Sequence, residues 1–209
     1  MLIFRLSLLA GFLLTAFLPY PLSHERDNER KMEVVYHAKV NLNGKTNVNT
    51  FACYSPKVDN SMWVKMSTSN RNNQLEFEHP SLKIPVKELD CGGRIINKDL
   101  QETLKSDQYP YIQIRLESAR LNMGKNDNGK LKEAMALTCI SIGCVERCMD
   151  IPVAVAQTND KSFQFVGSVP LSMTDFGLVP PTAMMGMIQT RDEIEVSFEM
   201  VISLKEENK

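Results

Sequence analysis

An all-β fold, an antiparallel barrel of about eight strands with one short helix, follows from three features of this chain. Apolar residues recur at every second position along most of its length, from Val34 through Leu42 and again from Ile194 through Leu204. Polar turn-forming runs punctuate that alternation at hairpin spacing, without the strand–helix–strand rhythm of a parallel sheet. Only the segment 97–107 carries helical periodicity. Strands that each have one dry face must close around a shared interior, as a sandwich or as a barrel, and their length favours the barrel.

The chain opens with material of a different kind. Arg5 precedes an apolar run from Leu6 to Leu18, and a polar HERDNERK stretch follows. The run falls short of the about 20 residues that span a bilayer, so residues 1–23 read as an export signal. An uncleaved anchor is the alternative, because no small-x-small cleavage site stands out. Residues 24–32 then read as a polar linker, 33–205 as the barrel domain and 206–209 as a polar tail. The expected location is periplasmic or secreted, with no stable membrane span once the signal is removed.

Val34, Tyr36, Ala38, Val40 and Leu42 share one face of the first strand, with His37, Lys39 and Asn41 on the other. A GKTN turn leads to a second strand over 48–54, and Met62, Val64 and Met66 mark a third that ends in the hairpin loop STSNRNNQ. Leu75 with Phe77, then Leu82, Ile84 and Val86, continue the pattern. In NKDLQETLKSD, Leu100 and Leu104 stand four apart, Asn97 is placed to cap the first turn, and Pro110 blocks continuation. Alternation resumes through Ile112, Ile114 and Leu116, through 131–142, and through Ile151, Val153 and Val155. Phe163, Phe165, Gly167, Val169, Leu171 and Met173 share the next dry face, and Ile194 to Leu204 form the last.

Charge and motif content exclude several functions. With 24 basic and 25 acidic residues the formal net charge is -1, scattered along the chain, so there is no basic stripe for nucleic acid. No G-x-S-x-G elbow or H-E-x-x-H helix is present, and Asp175-Phe176-Gly177 lacks every partner that a kinase magnesium turn requires. No catalytic residue is assigned, and a non-enzyme is expected.

Five cysteines in an exported chain meet an oxidising compartment. Cys53 and Cys91 each end a strand-like run, and a bridge between them is expected to contribute about 4 kcal/mol in the chain-entropy model. Cys144 and Cys148 flank a turn and are expected to close locally, leaving Cys139. An odd count leaves a thiol free or paired between chains, so a homodimer stands among the expected partners. Cys139, Cys144 and Cys148 also suggest a zinc trio, but their spacing lacks the usual layout and His24, His37 and His79 are distant, so no metal is expected. A thiol-active protein using Cys144 and Cys148 is a third functional reading.

The order of motifs resembles the YceI-like family, lipocalin-like barrels exported by bacteria, across about residues 33 to 205. NKDLQETLKSDQYPYIQIRLES resembles that family's helix and following strand. LTCISIGCVER resembles its LTI-x-G-V-T-K hairpin, and VGSVPLSMTDFGL resembles the strand end that finishes in D-F-G. Two departures mark a divergent, Bacteroidetes-type pattern: Met173 stands where many members carry Arg, and GKTNVNTFAC replaces the V-x-G-x-F strand.

The resemblance implies an amphiphilic isoprenoid-type ligand in the barrel, a polyprenyl chain or isoprenoid quinone, held for transport or storage, and no other cofactor. Residues expected to line the cavity are Trp63, Phe77, Phe163, Phe165, Met173, Phe176, Met184, Met185, Met187 and Phe198, because adaptable thioethers and aromatic rings suit an irregular apolar space. Met184, Met185 and Met187 are expected at a barrel end, as lining or lid. The same side chains can instead plug a filled barrel. The alternative function is then that of a non-enzymatic envelope structural or interaction protein with a recognition surface around GKTNVNTFAC. Asp175, Arg191 and Asp192 are read as a head-group site or, in the commoner use, as a structural turn.

Overall fold

A computed structural model describes residues 30–69, 74–78, 80–122 and 132–205. The expected signal, most of the linker and the polar tail lie outside the described residues. Strands β1 (Arg30–Thr46), β2 (Thr50–Tyr54), β3 (Val58–Ser69), β4 (Gln74–Phe77) and β5 (Ser81–Pro85) precede helix α1 (Arg94–Thr103). Strands β6 (Tyr111–Asn122), β7 (Lys132–Ile142), β8 (Val145–Asn159), β9 (Ser162–Ser172), β10 (Thr182–Ala183) and β11 (Ile188–Lys205) follow it.

Eight of these strands form a closed antiparallel ring in the order β1, β3, β4, β6, β7, β8, β9, β11. Closure is made by the long β1–β11 ladder, which runs from Glu33 opposite Lys205 to Thr46 opposite Thr190. The barrel is therefore as expected, and the additional strands are accessories to it. β2 continues the line of β3 along β1, β5 continues the line of β4 along β6, and β10 pairs with the start of β11.

Register fixes which residues face inward. Val34 lies opposite Leu204, Tyr36 opposite Ile202, Ala38 opposite Met200 and Val40 opposite Phe198, so the apolar rows of the two strands meet inside. Phe198 in turn faces Gly167 of β9. A Cβ on Gly167 would stand 2.6 Å from Cζ of Phe198 and 2.9 Å from the Pro152 carbonyl oxygen, so the absent side chain makes room for the ring.

One end of the barrel is filled. Val40, Ile84, Val86, Leu89, Ile112, Ile140, Ile151, Val169, Phe176 and Val196 belong to one buried cluster there, with Leu104 entering it just after α1. The D-F-G triplet is a strand end, as the resemblance implies: Phe176 is buried in this cluster and Gly177 (φ 68°) reverses the chain. Helix α1 starts earlier than expected and its N-cap is Gly93. Asn97 sits one turn in, where its Oδ1 accepts the Cys91 N–H at 2.7 Å and its Nδ2 donates to Asp90 at 3.0 Å. Its side chain thus ties down the preceding loop rather than capping the helix. The helix gives out at Lys105, whose φ is 53°, before Pro110 is reached.

The expected Cys53–Cys91 disulfide is present. The local Cys144–Cys148 closure is not: Cys148 bonds Cys139, its register partner on the β7–β8 ladder. Cys144 sits in the turn, beyond Ile142 opposite Val145, and is exposed with a free thiol. Three rungs separate that turn from the disulfide, which at about 3.4 Å per step is out of bonding reach. Glu146 lies within 4.8 Å of Cys139 and Cys148, but both sulfurs are committed to each other, so the zinc trio does not form.

Candidate functional site

Burial along the inward rows changes from one end of the barrel to the other. Val40, Val169 and Val196 are buried at the filled end. On the same strands and the same parity, Met32 of β1, Phe163 and Phe165 of β9, and Ile202 and Leu204 of β11 are only half-buried. Met62 and Met66 of β3 and Leu75 and Phe77 of β4 complete this half-buried set. An inward side chain keeps solvent contact only where neighbours across the interior leave room for it. The end bounded by the β3–β4, β8–β9 and β11 ends, called the mouth below, is thus packed less completely: Val34, Tyr36, Ala38, Val64 and Ala134 are buried there between half-buried Met, Phe and Leu side chains. From Ala38 to Met32 the strand climbs six residues, about 15 Å along the barrel after allowance for strand tilt, and on β1 only Met32 of that inward row keeps solvent contact.

The structure sorts the sequence-expected lining residues into three groups. Phe77 and Phe163 face the mouth, and Phe165 and Phe198 stand at its floor, packed against the buried cluster. Phe176 and Met173 belong to the filled end instead. Trp63 faces outward, because the inward parity of β3 falls on Met62 and Val64. It is 51% exposed, with the Lys31 ammonium 4.9 Å above its ring. Met184, Met185 and Met187 are exposed at the tip leading into β11, beyond the filled end, and neither line the interior nor cover the mouth. Their end of the barrel is the filled one, so they form neither the lining nor the lid expected of them. Met32, Met62, Met66 and Met200 face the interior instead, recoverable from the period-two parity of β1, β3 and β11, and Met149 joins Met173 against the buried cluster.

One polar pair stands among these apolar rows. Tyr36 is 5% exposed, faces inward and is the register partner of Asn60 on β3. Burial pushes its phenol above the usual tyrosine range, while a hydrogen bond with the Asn60 side chain acts in the opposite sense. Asn60 Oδ1 also accepts the Ser61 N–H at 2.8 Å. On the outside, Asp192 accepts from the Thr174 N–H at 2.9 Å and from its hydroxyl at 2.7 Å, which makes it a clamp on the D-F-G turn. A groove of about 580 Å³ lies against the GKTNVNTFAC segment, bordered by Lys45, Phe51, Arg191 and Glu195.

An eight-stranded antiparallel barrel, plugged at one end and packed less completely at the other, is the class of protein that either holds one small ligand or is filled by side chains. Among solved structures the chain is similar to BcnA of Burkholderia cenocepacia, at 17% identity and a TM-score of 0.55, covering 78% of this chain and 95% of that one. It is also similar to a polyisoprenoid binding domain from Saccharophagus degradans implicated in plant cell wall breakdown, at 8% identity and a TM-score of 0.54, covering 81% and 98%. A YceI protein of Campylobacter jejuni matches more loosely, at 16% identity and a TM-score of 0.47 over 69% and 81%. The fold is YceI-like. No protein-family model and no curated protein matches the sequence.

Proposed function

We propose that this is an exported, non-enzymatic binding protein that holds an amphiphilic isoprenoid-type lipid, a polyprenyl chain or isoprenoid quinone, in the less completely packed half of its barrel for transport or storage. The observation that carries this reading is the half-buried inward row from Met32 to Leu204, apolar surface left over by an interior that is fully packed elsewhere. Each methylene buried there is worth about 0.8 kcal/mol, so a chain filling the mouth gains affinity without any specific contact. Methionine and phenylalanine side chains at half burial adapt to such a chain at little cost. The structurally similar Saccharophagus degradans domain, described as polyisoprenoid binding, supports the ligand class. Two disulfides point to an oxidising compartment, and no helix among the described residues is long and apolar enough to cross a membrane.

The groove against GKTNVNTFAC favours a second reading, an envelope interaction protein that uses its outer surface. Native mass spectrometry of the protein purified from the periplasm, followed by solvent extraction, separates the two. A retained polyisoprenoid of defined mass is the expected result. A bare polypeptide mass that persists after incubation with polyprenol and with isoprenoid quinone would shift the function to the groove.

A further inference from the structure

The barrel wall has a seam. β3 pairs with β4 only from Met66 to Ser69, and the Glu78 N–H still reaches the Lys65 carbonyl at 2.9 Å. Below that, Val58 to Val64 pair with β1 alone, and Ser81 to Pro85 of β5 pair with β6 alone. Among the described residues no backbone hydrogen bond joins β3 to β5 over this interval. The seam is framed at its lower end by the reciprocal Tyr54–Asp90 bonds of 2.9 and 3.0 Å and by the Cys53–Cys91 disulfide. At its level Tyr36, Val64 and Ile84 are buried, so side chains rather than a ladder close the wall. Such a closure yields more readily than hydrogen-bonded sheet.

Asn60 lies on the β3 edge of this seam. It shares the inward parity of Met62 and Val64, yet it is exposed, so it joins the interior to solvent. Its partner Tyr36 stands behind it, between Val34 and Ala38 along β1 and opposite Ile202 of β11. Every inward position of β9 from Phe163 to Leu171 and of β11 from Ile194 to Leu204 is apolar or glycine. Tyr36 and Asn60 are therefore the polar point of this side of the interior.

We infer that Tyr36 and Asn60 form the head-group subsite of the amphiphile, in which an uncharged oxygen acceptor, such as a quinone-type carbonyl, takes the Tyr36 hydroxyl proton while the apolar chain runs toward the mouth. The inference rests on the carrier reading above and adds the chemistry of the head. The Asn60 bond acts to lower the phenol, as an amide N–H donating to the phenol oxygen does, and a phenol that accepts from Asn60 has its own proton available to a ligand. A phosphate head is disfavoured. The neighbours Lys57, Asp59 and His37 face outward and bond one another, His37 to Asp59 at 2.7 Å and Lys57 to Asp59 at 3.3 Å, and Arg30 and Lys132, which share the inward parity, stand exposed at the rim rather than beside Tyr36. An unpaired charge buried there would be costly.

The test titrates the purified protein with a long-chain isoprenoid quinone, a polyprenyl phosphate and a head-less isoprenoid hydrocarbon of matched length. The wild type is expected to bind the quinone most tightly. Tyr36→Phe keeps the ring and is expected to weaken quinone binding roughly tenfold while leaving the hydrocarbon unchanged. Asn60→Leu, which leaves the phenol without its orienting partner, is expected to weaken it by a smaller factor, with thermal melts confirming that both variants fold. Equal loss for quinone and hydrocarbon, no loss with quinone, or a wild-type preference for the phosphate overturns the subsite alone. A wild type that binds none of the three probes overturns the carrier reading, and the subsite with it.

Discussion

The two ends of the β1–β11 ladder are built from the same alternating pattern and serve opposite ends. At the filled end, Val40 and Val196 meet Ile84, Val86, Leu104 and Phe176, supplied by elements outside the two strands. At the mouth, Val34 and Leu204 are paired just as regularly and Val34 is buried, but Ile202 and Leu204 keep solvent contact and neither belongs to the buried cluster. A dry face on a strand therefore says which side is inward. Whether that side becomes core or cavity depends on what the accessory segments insert.

Both disulfides staple the filled end, which gives the largest expected difference. Cys53 and Cys91 are 38 residues apart, and replacing both by serine should remove about 4 kcal/mol in the chain-entropy model. Cys139 and Cys148 are 9 residues apart, and the same replacement should remove about 2.5 kcal/mol. Denaturant unfolding of the two double variants checks the order. Equal losses would mean that loop length is not what sets their worth here.

Side-chain truncation should separate the halves next. Ile84, 1% exposed, has no room to collapse, so Ile84→Ala should cost about 3 kcal/mol. Phe163→Ala at the mouth should cost under about 1.5 kcal/mol, although the residue removed is larger, and should reduce retention of bound lipid instead. A Phe163→Ala variant as destabilised as Ile84→Ala would show that the mouth is core after all.

Much of the fold, though not this division, was legible in the sequence, because period-two parity is a local property. It marked the rows of β1, β9 and β11 and the strand ends that carry Cys53 and Cys91, while the role of D-F-G as a strand terminus came from the resemblance to YceI-like barrels. Trp63 was misread because residue type was allowed to outweigh parity: Met62, Val64 and Met66 already claimed the inward face. Met184, Met185 and Met187 carry no periodicity, and Met184 and Met185 adopt left-handed backbone (φ 50° and 57°) in a tip that composition alone cannot place. The Cys139–Cys148 bond and the Tyr36–Asn60 pair both depend on cross-strand register. Register is set by turn geometry and long-range pairing, so neither could be read from spacing along one chain.

Acid should act on the filled end, with the smallest of these effects. Glu146 accepts Arg115 Nη1 at 3.0 Å and Nη2 at 3.1 Å, and the Ser141 hydroxyl at 2.9 Å, and these bonds hold its carboxyl below the usual glutamate range. Asp107, bonded to Lys87, and Asp90, bonded to Asn97 and the Gly92 N–H, are lowered in the same way and lie at the same end. A folded value depressed below the unfolded one stabilises the fold above the unfolded pKa and loses that contribution as pH falls through the folded one. Stability from these groups is therefore complete at neutral pH and should decline only below about pH 4. All three carboxyls are exposed, so solvent screens the gain and the decline should be shallow. An NMR titration of the Glu146 carboxyl should show a midpoint below that of an ordinary glutamate, and Arg115→Gln should raise it. A Glu146 midpoint that does not move in Arg115→Gln would transfer the cause to Ser141 and overturn the view that the arginine fork braces the β6–β7–β8 corner of the filled end.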